Sequence, residues 1–280
     1  MVFPVSLMKQ CNETMINFDY IINKYMDYVK LHNFQLTICH TEPQNYAIID
    51  KLILENDINY IFIVNPLNFN LGYCRNLYKY VNLSNNILYN DVDIPLELGQ
   101  IHKMLSKMDT SDIVKPYLNN LYQLNHQDKY KYINKSGGIN LANYTKYNKY
   151  SITGGVVMVK NSILRETGGY EEFNSYGYED RCFDVVVIAK RYKIFFFDDV
   201  VYHLHHEKNN ISNTMKSYIE VCKNYTIKNY GCGVKDGITS MHDQCIHKHN
   251  NLNNLINKNK LYNANINLFR QPHRTINLKP

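Results

Sequence analysis

Between residues 2 and 93 the chain changes its hydrophobic period repeatedly, and this alternation constrains the fold more than anything else in the sequence. Residues 2–6, "VFPVS", are a short apolar run that reads as a strand. Ile16, Phe18, Ile21, Ile22, Tyr25, Met26 and Tyr28 then recur at mostly helical spacing. "FQLTICHTE" (34–42) returns to period two, with Phe34, Leu36 and Ile38 on one face. "YAIIDKLILEN" (46–56) reads as a short helix, and "NYIFIVN" (59–65) as a strand covered on both faces. "GYCRNLYKYVNL" (72–83) is a helix opened by Gly72, and "NILYNDVD" (86–93) is the next strand. Parallel neighbours need a crossover connection, and a helix between successive strands supplies one. The expectation is an α/β domain, its central sheet mostly parallel and flanked by helices, of nucleotide-binding type.

After Pro95 the rhythm changes. Residues 96–122 read as helical, and residues 125–150 as a long polar insertion rich in Tyr and Lys. A strand at 155–159 leads into a short helix stopped by Gly168 and Gly169, where glycine takes the left-handed conformation that ends helices. "EDRCFDVVVIAKRY" (179–192) is a helix, "KIFFFDD" (193–199) a strand, and "VVYHLHHEK" (200–208) a strand ending in three histidines. From about residue 209 the chain is rich in Asn and Lys, with a helical stretch near 213–229. These patterns suggest one α/β unit over 1–208, divided at residue 95, and a mainly helical extension over 209–280.

Composition narrows the function. Hydrophobic residues make up 45% of 280, enough for a sizeable core. The net charge of +6 is spread out, without the basic stripe of a nucleic-acid binder. No apolar run approaches the ~20 residues that span a bilayer. Seven cysteines without a framework fit free thiols and a cytosolic setting. The bias towards Asn, Lys, Ile and Tyr, with no Trp, is that of an AT-rich genome, so abundant Asn and Lys carry no message of their own.

Two short stretches carry chemistry. In "NDVDIP", Asp91 and Asp93 close a buried strand that Pro95 terminates. Ligands of open α/β sheets bind at that end of the strands. A solvated turn would contain the same residues. In "GGYEEFNSYGYEDRCFDVV", an aromatic, Gly-containing loop delivers Glu179 and Asp180 to the first turn of a helix. Carboxylates suit that position through the helix dipole alone, worth roughly 0.3–1 kcal/mol each. Alternatively Asp180 is a general base presented into a cleft, with Gly177 allowing close approach to a ligand.

Taken in order, Gly154-Gly155, an apolar strand, Gly168-Gly169-Tyr170 and Tyr176-Gly177-Tyr178-Glu179-Asp180 resemble the C-terminal catalytic segment of the beta-1,4-galactosyltransferase-like enzymes and related family 2 glycosyltransferases. Tyr176 stands where that family usually has Trp. "NDVDIP" matches the family's Asp-x-Asp element, "VYHLHHEK" its histidine element, and "GYCRNLYKY" its nucleotide-covering helix. The order agrees over residues 2–208. The resemblance implies a GT-A type fold and metal-dependent transfer of a sugar from a nucleotide diphosphate, read as a UDP-sugar, to a hydroxyl of a glycan or other acceptor. It assigns a Mn²⁺ or Mg²⁺ ion to Asp93 and His206, with His203 as co-ligand. Asp91, Arg75, Asn76, Pro4 and Gly155 fall to the nucleotide sugar, Asp180 becomes the base, and Glu179 positions the acceptor. A single base opposite the leaving group implies inversion. On an ideal strand His203 and His205 share a face and His206 points away, so the choice among the three stays open on spacing alone. With no membrane span, the expectation departs from animal Golgi enzymes and points to a cytosolic bacterial or viral one.

Other candidates are weaker. Cys232, His242, Cys245, His247 and His249 fit no compact zinc spacing. Tyr130, Tyr132, Tyr144 and Tyr147 could stack on sugars but suit a tyrosine-rich surface equally. A sugar-nucleotide pyrophosphorylase would carry a Gly-rich phosphate loop near the N-terminus, and "VFPVSLMKQ" has none. A catalytically inactive relative that only binds a glycan or nucleotide is the alternative reading.

Overall fold

The computed structural model describes residues 1–5, 12–32, 34–42, 59–64, 71–77, 84–144, 146, 151–172 and 179–206. Among these, seven strands form one sheet in the order β3-β2-β1-β4-β7-β5-β8. The strands are β1 (Val2–Val5), β2 (Thr37–Glu42), β3 (Asn59–Val64), β4 (Asn86–Asn90), β5 (Ile113–Lys115), β7 (Val156–Lys160) and β8 (Ile194–Phe196). Two further strands, β6 (Leu121–Gln123) and β9 (Val201–His203), make a separate parallel pair.

The first half follows the alternation. β1 pairs in parallel with β2 and β4, and β2 with β3. Helix α1 (Asn12–His32) crosses over between β1 and β2 and lays Phe18, Ile21, Ile22, Tyr25 and Met26 into the core, against Leu88, Ile94, Leu96 and Met104. Helix α2 (Leu71–Leu77) precedes β4. The helix expected at 46–56, and everything expected beyond residue 206, lie outside the described residues.

The second half corrects the reading. Only Leu98–Lys107 of the stretch 96–122 is helical (α3), and β5 and the start of β6 follow within it. Ile113 and Val114 are β-branched and wholly buried, and Pro116 cannot continue a helix, so packing overrides the polar periodicity around them. β7 runs antiparallel to both β4 and β5, which makes the sheet mixed while mostly parallel. The polar insertion is ordered in its first part as α4 (His126–Asn134), capped by the Asn125 side chain accepting from Asp128 N. Helix α5 (Asn161–Thr167) ends at Gly168, whose φ is 85°. Helix α6 (Glu179–Ala189) completes the unit.

Because β7 is antiparallel, its N-terminal end meets the C-terminal end of β4. Asn90 pairs with Val156, and the next residue, Asp91, donates its N–H to the Gly155 carbonyl at 3.1 Å. This one junction joins the Asp-x-Asp turn to the Gly154-Gly155 turn.

Candidate active site

The turn after β4 is built from inside. Asn90 is fully buried, and its amide donates to the Asp91 carbonyl (2.6 Å) and the Ile94 carbonyl (2.9 Å). The Tyr25 hydroxyl, from α1, donates to Asn90 Oδ1 (3.0 Å) and accepts from Leu96 N (2.8 Å). The backbone at Asp91–Ile94 is thereby locked on both sides, and its two carboxylates point away from the core in different directions.

Asp93 meets histidines. His206 Nε2 lies 3.0 Å and His203 Nε2 3.5 Å from Asp93 Oδ2, and the three side chains offer ligand atoms within 4.8 Å of one another. Burial works to raise the Asp93 carboxyl, but the two imidazoles outweigh it and hold the group below the ordinary carboxylate range. Oδ1 of Asp93 is buried and accepts no hydrogen bond among the described residues. A carboxylate with an unused oxygen beside two imidazoles is a donor set for a divalent transition-type cation, so these residues fit the ion that the sequence implies. The backbone brings them together: Leu204 N donates to the Asp93 carbonyl (2.7 Å), and Leu124 N to the His203 carbonyl (2.9 Å). β9 ends at His203, so strand alternation no longer governs His206, and the chain turns it back onto the side of His203. His205 goes elsewhere, to Glu13 Oε2 at 3.4 Å.

Asp91 meets arginine. Arg75 is almost wholly buried and bridges two carboxylates, Asp91 (3.0 Å) and Glu179 (2.7 Å). Burial opposes the guanidinium charge, but the two acids overcompensate and strengthen it. Burial raises the Asp91 carboxyl against the pull of Arg75. It raises Glu179 further, to about 8, with the Asp180 carboxylate adding to the effect. Arg75 also packs 5.0 Å over the Tyr170 ring, and its carbonyl accepts from the Tyr89 hydroxyl (2.9 Å). Asn76 points inward too, exchanging hydrogen bonds with the Tyr170 backbone (2.7 and 2.8 Å) and reaching Glu172 (2.8 Å). Arg75, Asn76 and Glu179 thus form the buried support of the site, while Asp91, Asp93 and Asp180 stay partly exposed. Pro4 sits in β1, opposite Cys39 of β2.

Asp180 stands at the start of α6 and accepts from Arg181 N (2.7 Å). Its other oxygen lies against the Cα of Gly154, so close that a Cβ there would collide with it. Gly155 has φ +67°, the left-handed region that favours glycine, and carries the carbonyl that receives Asp91 N. Two buried residues, Asp184 and Lys115, hold this loop. Asp184, one turn after Asp180, accepts from Ser151 Oγ (2.9 Å), Ile152 N (3.0 Å), Thr153 N (2.8 Å) and Thr153 Oγ1 (2.7 Å). Burial lifts its carboxyl to about 6. Lys115, at the end of β5, donates to the carbonyls of Gly154 (2.5 Å) and Val156 (3.2 Å), and burial depresses its ammonium to about 7. In sequence, Asp184 is marked as an acid one helical turn after Asp180, directly before the apolar run Val185–Ala189. A lysine before a proline gives no such signal. Tyr176, Gly177 and Tyr178, and the Cys232–His249 cluster, lie outside the described residues.

No family model and no curated protein matches the sequence. Among solved structures, the backbone is similar to residues 1–349 of S. aureus TarS in complex with UDP-GlcNAc, with a TM-score of 0.52 and 12% identity, over 90% of this chain and 71% of that one. It is also similar to a mannosyltransferase from Pyrobaculum calidifontis in complex with GDP-Man and Mn²⁺ (TM-score 0.48, 9% identity, 92% and 72% coverage). A third similar structure is the catalytic domain of Drosophila beta-1,4-galactosyltransferase 7 with xylobiose (TM-score 0.46, 12% identity, 77% and 76% coverage). At these identities the likeness to TarS establishes the fold, which is that of the GT-A glycosyltransferases.

Proposed function

We propose that this chain is a metal-dependent, inverting glycosyltransferase that moves a sugar from a nucleotide diphosphate donor, read as a UDP-sugar, to a hydroxyl of a glycan or other acceptor. The observation that carries the reading is the Asp93–His203–His206 cluster at the sheet's carboxyl edge, with Asp180 presented beside the same edge across Gly154. Asp93, His206 and His203 would hold Mn²⁺ or Mg²⁺, and such an ion supplies Lewis-acid stabilisation of a diphosphate leaving group. Asp91 is tethered by Arg75 at the mouth of the site, where it can accept from a ribose hydroxyl. Asp180 takes the proton of the acceptor hydroxyl as that oxygen bonds to the anomeric carbon, opposite the departing nucleotide. Glu179 acts one step back: it pairs with Arg75 and so ties the helix carrying the base to the turn carrying Asp91. The buried cysteines Cys39, Cys74 and Cys182 suit the cytosolic setting expected from composition.

The test separates binding from chemistry. Asp180→Asn keeps the shape of the side chain and most of its helix-capping ability but cannot accept a proton. UDP and Mn²⁺ affinities should stay near wild type while transfer falls by roughly 10²–10⁴. Transfer at the wild-type rate by the folded variant would remove Asp180 from the chemistry. It would leave a helix start in its place and favour the binding-module reading.

A further inference from the structure

A second set of buried polar groups lies behind the histidines and takes no part in the chemistry above. Lys129, on α4, is fully buried. Its Nζ donates to the carbonyl of His205 (3.1 Å) and to that of Glu13 in the first turn of α1 (3.2 Å). Asn17, also fully buried on α1, donates its amide to the same His205 carbonyl (3.2 Å). The Glu13 carboxylate faces His205 Nε2 (3.4 Å) with one oxygen and His126 Nε2 (3.0 Å) with the other. One short segment is therefore gripped from two helices, and the grip falls on the peptide unit that leads into His206.

Burying a lysine is costly, and a buried ammonium that spends its donors on main-chain carbonyls fixes those carbonyls in place. The histidine segment needs such fixing. β9 ends at His203, so among the described residues no sheet ladder holds the backbone at 205–206. Upstream, the peptide between His203 and Leu204 is pinned at both its groups, by Leu124 N and the Asp93 carbonyl. Downstream, the carbonyl of the His205–His206 peptide is pinned by Lys129 and Asn17. Each histidine that faces Asp93 thus adjoins a fixed peptide plane, and a fixed peptide plane sets where its side chain starts.

We propose that Lys129 and Asn17 are positioning residues of the metal centre: by holding the His205 carbonyl they turn His206 towards Asp93. The polar insertion then has a task, because its helix α4 carries the lysine. The proposal rests on the metal reading of Asp93, His203 and His206. Groups that orient metal ligands typically change metal affinity by roughly 10–100-fold when removed.

The experiment uses Lys129→Met, which keeps the long apolar stem, and Asn17→Leu, which attacks the same carbonyl from the other helix. Mn²⁺ affinity is measured by paramagnetic resonance of the free ion, and the imidazole nitrogens of metal-free protein are followed by ¹⁵N NMR, with His102 on α3 as an internal control. Either folded variant should bind Mn²⁺ at least about tenfold more weakly and shift the His206 signals but not those of His102. In the His206→Ala background Lys129→Met should add no further loss, since the ligand it positions is gone. Wild-type Mn²⁺ affinity with unmoved His206 signals would overturn the proposal, as would an equal extra loss in the His206→Ala background. If the wild type and Asp93→Ala bind Mn²⁺ alike, the metal reading fails by itself. The NMR arm then still decides whether Lys129 orients His206.

Discussion

Asp93 spends one oxygen on two imidazoles and keeps the other buried with no hydrogen bond among the described residues, an arrangement that is costly without a cation and natural with one. The three histidines of "HLHH" divide accordingly. His203 and His206 face Asp93, while His205 leans on Glu13. His206→Ala should therefore raise the Mn²⁺ concentration that supports half-maximal binding by more than about tenfold, since losing a ligand exceeds losing a group that orients one. His205→Ala should change it little, because the alanine keeps the carbonyl that Lys129 and Asn17 hold. Calorimetric titration of both variants checks the pair, and the reverse order would place the ion on the other side of the segment. "VYHLHHEK" marks the neighbourhood of the proposed metal site in the sequence. The assignment within it depends on β9 stopping at His203, and sheet pairing decides that, not local spacing.

Among the elements, α1 does more than fill the core. Its apolar stripe is legible in sequence as Phe18, Ile21, Ile22, Tyr25 and Met26, and all five are buried. Tyr25 reads there as one more core residue, yet its hydroxyl links Asn90 to Leu96 and so braces the Asp-x-Asp turn. Tyr25→Phe preserves the packing and strands two buried polar groups, which costs roughly 1–3 kcal/mol. Urea unfolding should show a lower midpoint at unchanged slope, and UDP affinity should fall with it because the turn loses its brace. A midpoint equal to wild type would mean that water replaces the hydroxyl. The stretch 96–122 shows the opposite case. Its periodicity suggests helix throughout, but Ile113 and Val114 gain more from the interior of the sheet than from a helical surface, and only 98–107 stay helical.

For the whole molecule, the buried Asp91–Arg75–Glu179 bridge joins the two halves of the chain through residues 16 and 104 positions from Arg75. Its electrostatics make stability depend on pH with a definite sign. Burial disfavours the charge of Glu179 and pushes its carboxyl up from the ordinary 4.5 to about 8 in the folded protein. The folded state then binds more protons than the unfolded state between those values, so the contribution of Glu179 is complete below about 4.5 and is lost as pH rises through about 8. Glu179→Gln imitates the protonated form at every pH. Melting temperatures of wild type and Glu179→Gln should therefore lie closest near pH 5, and the variant should gain on wild type as pH approaches 8. A gap constant with pH would show that Arg75 keeps the carboxylate ionised throughout.

The sequence alone determined the α/β class, the crossover helix after β1, the strand end that bears Asp91 and Asp93, and the helix start that bears Asp180. Hydrophobic period and helix-start chemistry act over a few residues, so they are written locally. Tertiary structure alone decided that β7 runs antiparallel and brings Gly155 to Asp91, that His206 joins His203, and that Glu179 turns inward to Arg75. It also decided that Lys115, Asp184 and Lys129 are buried. Each of these outcomes depends on which elements become neighbours. A polar side chain far from its partner in sequence looks like any surface residue until the fold removes water from around both.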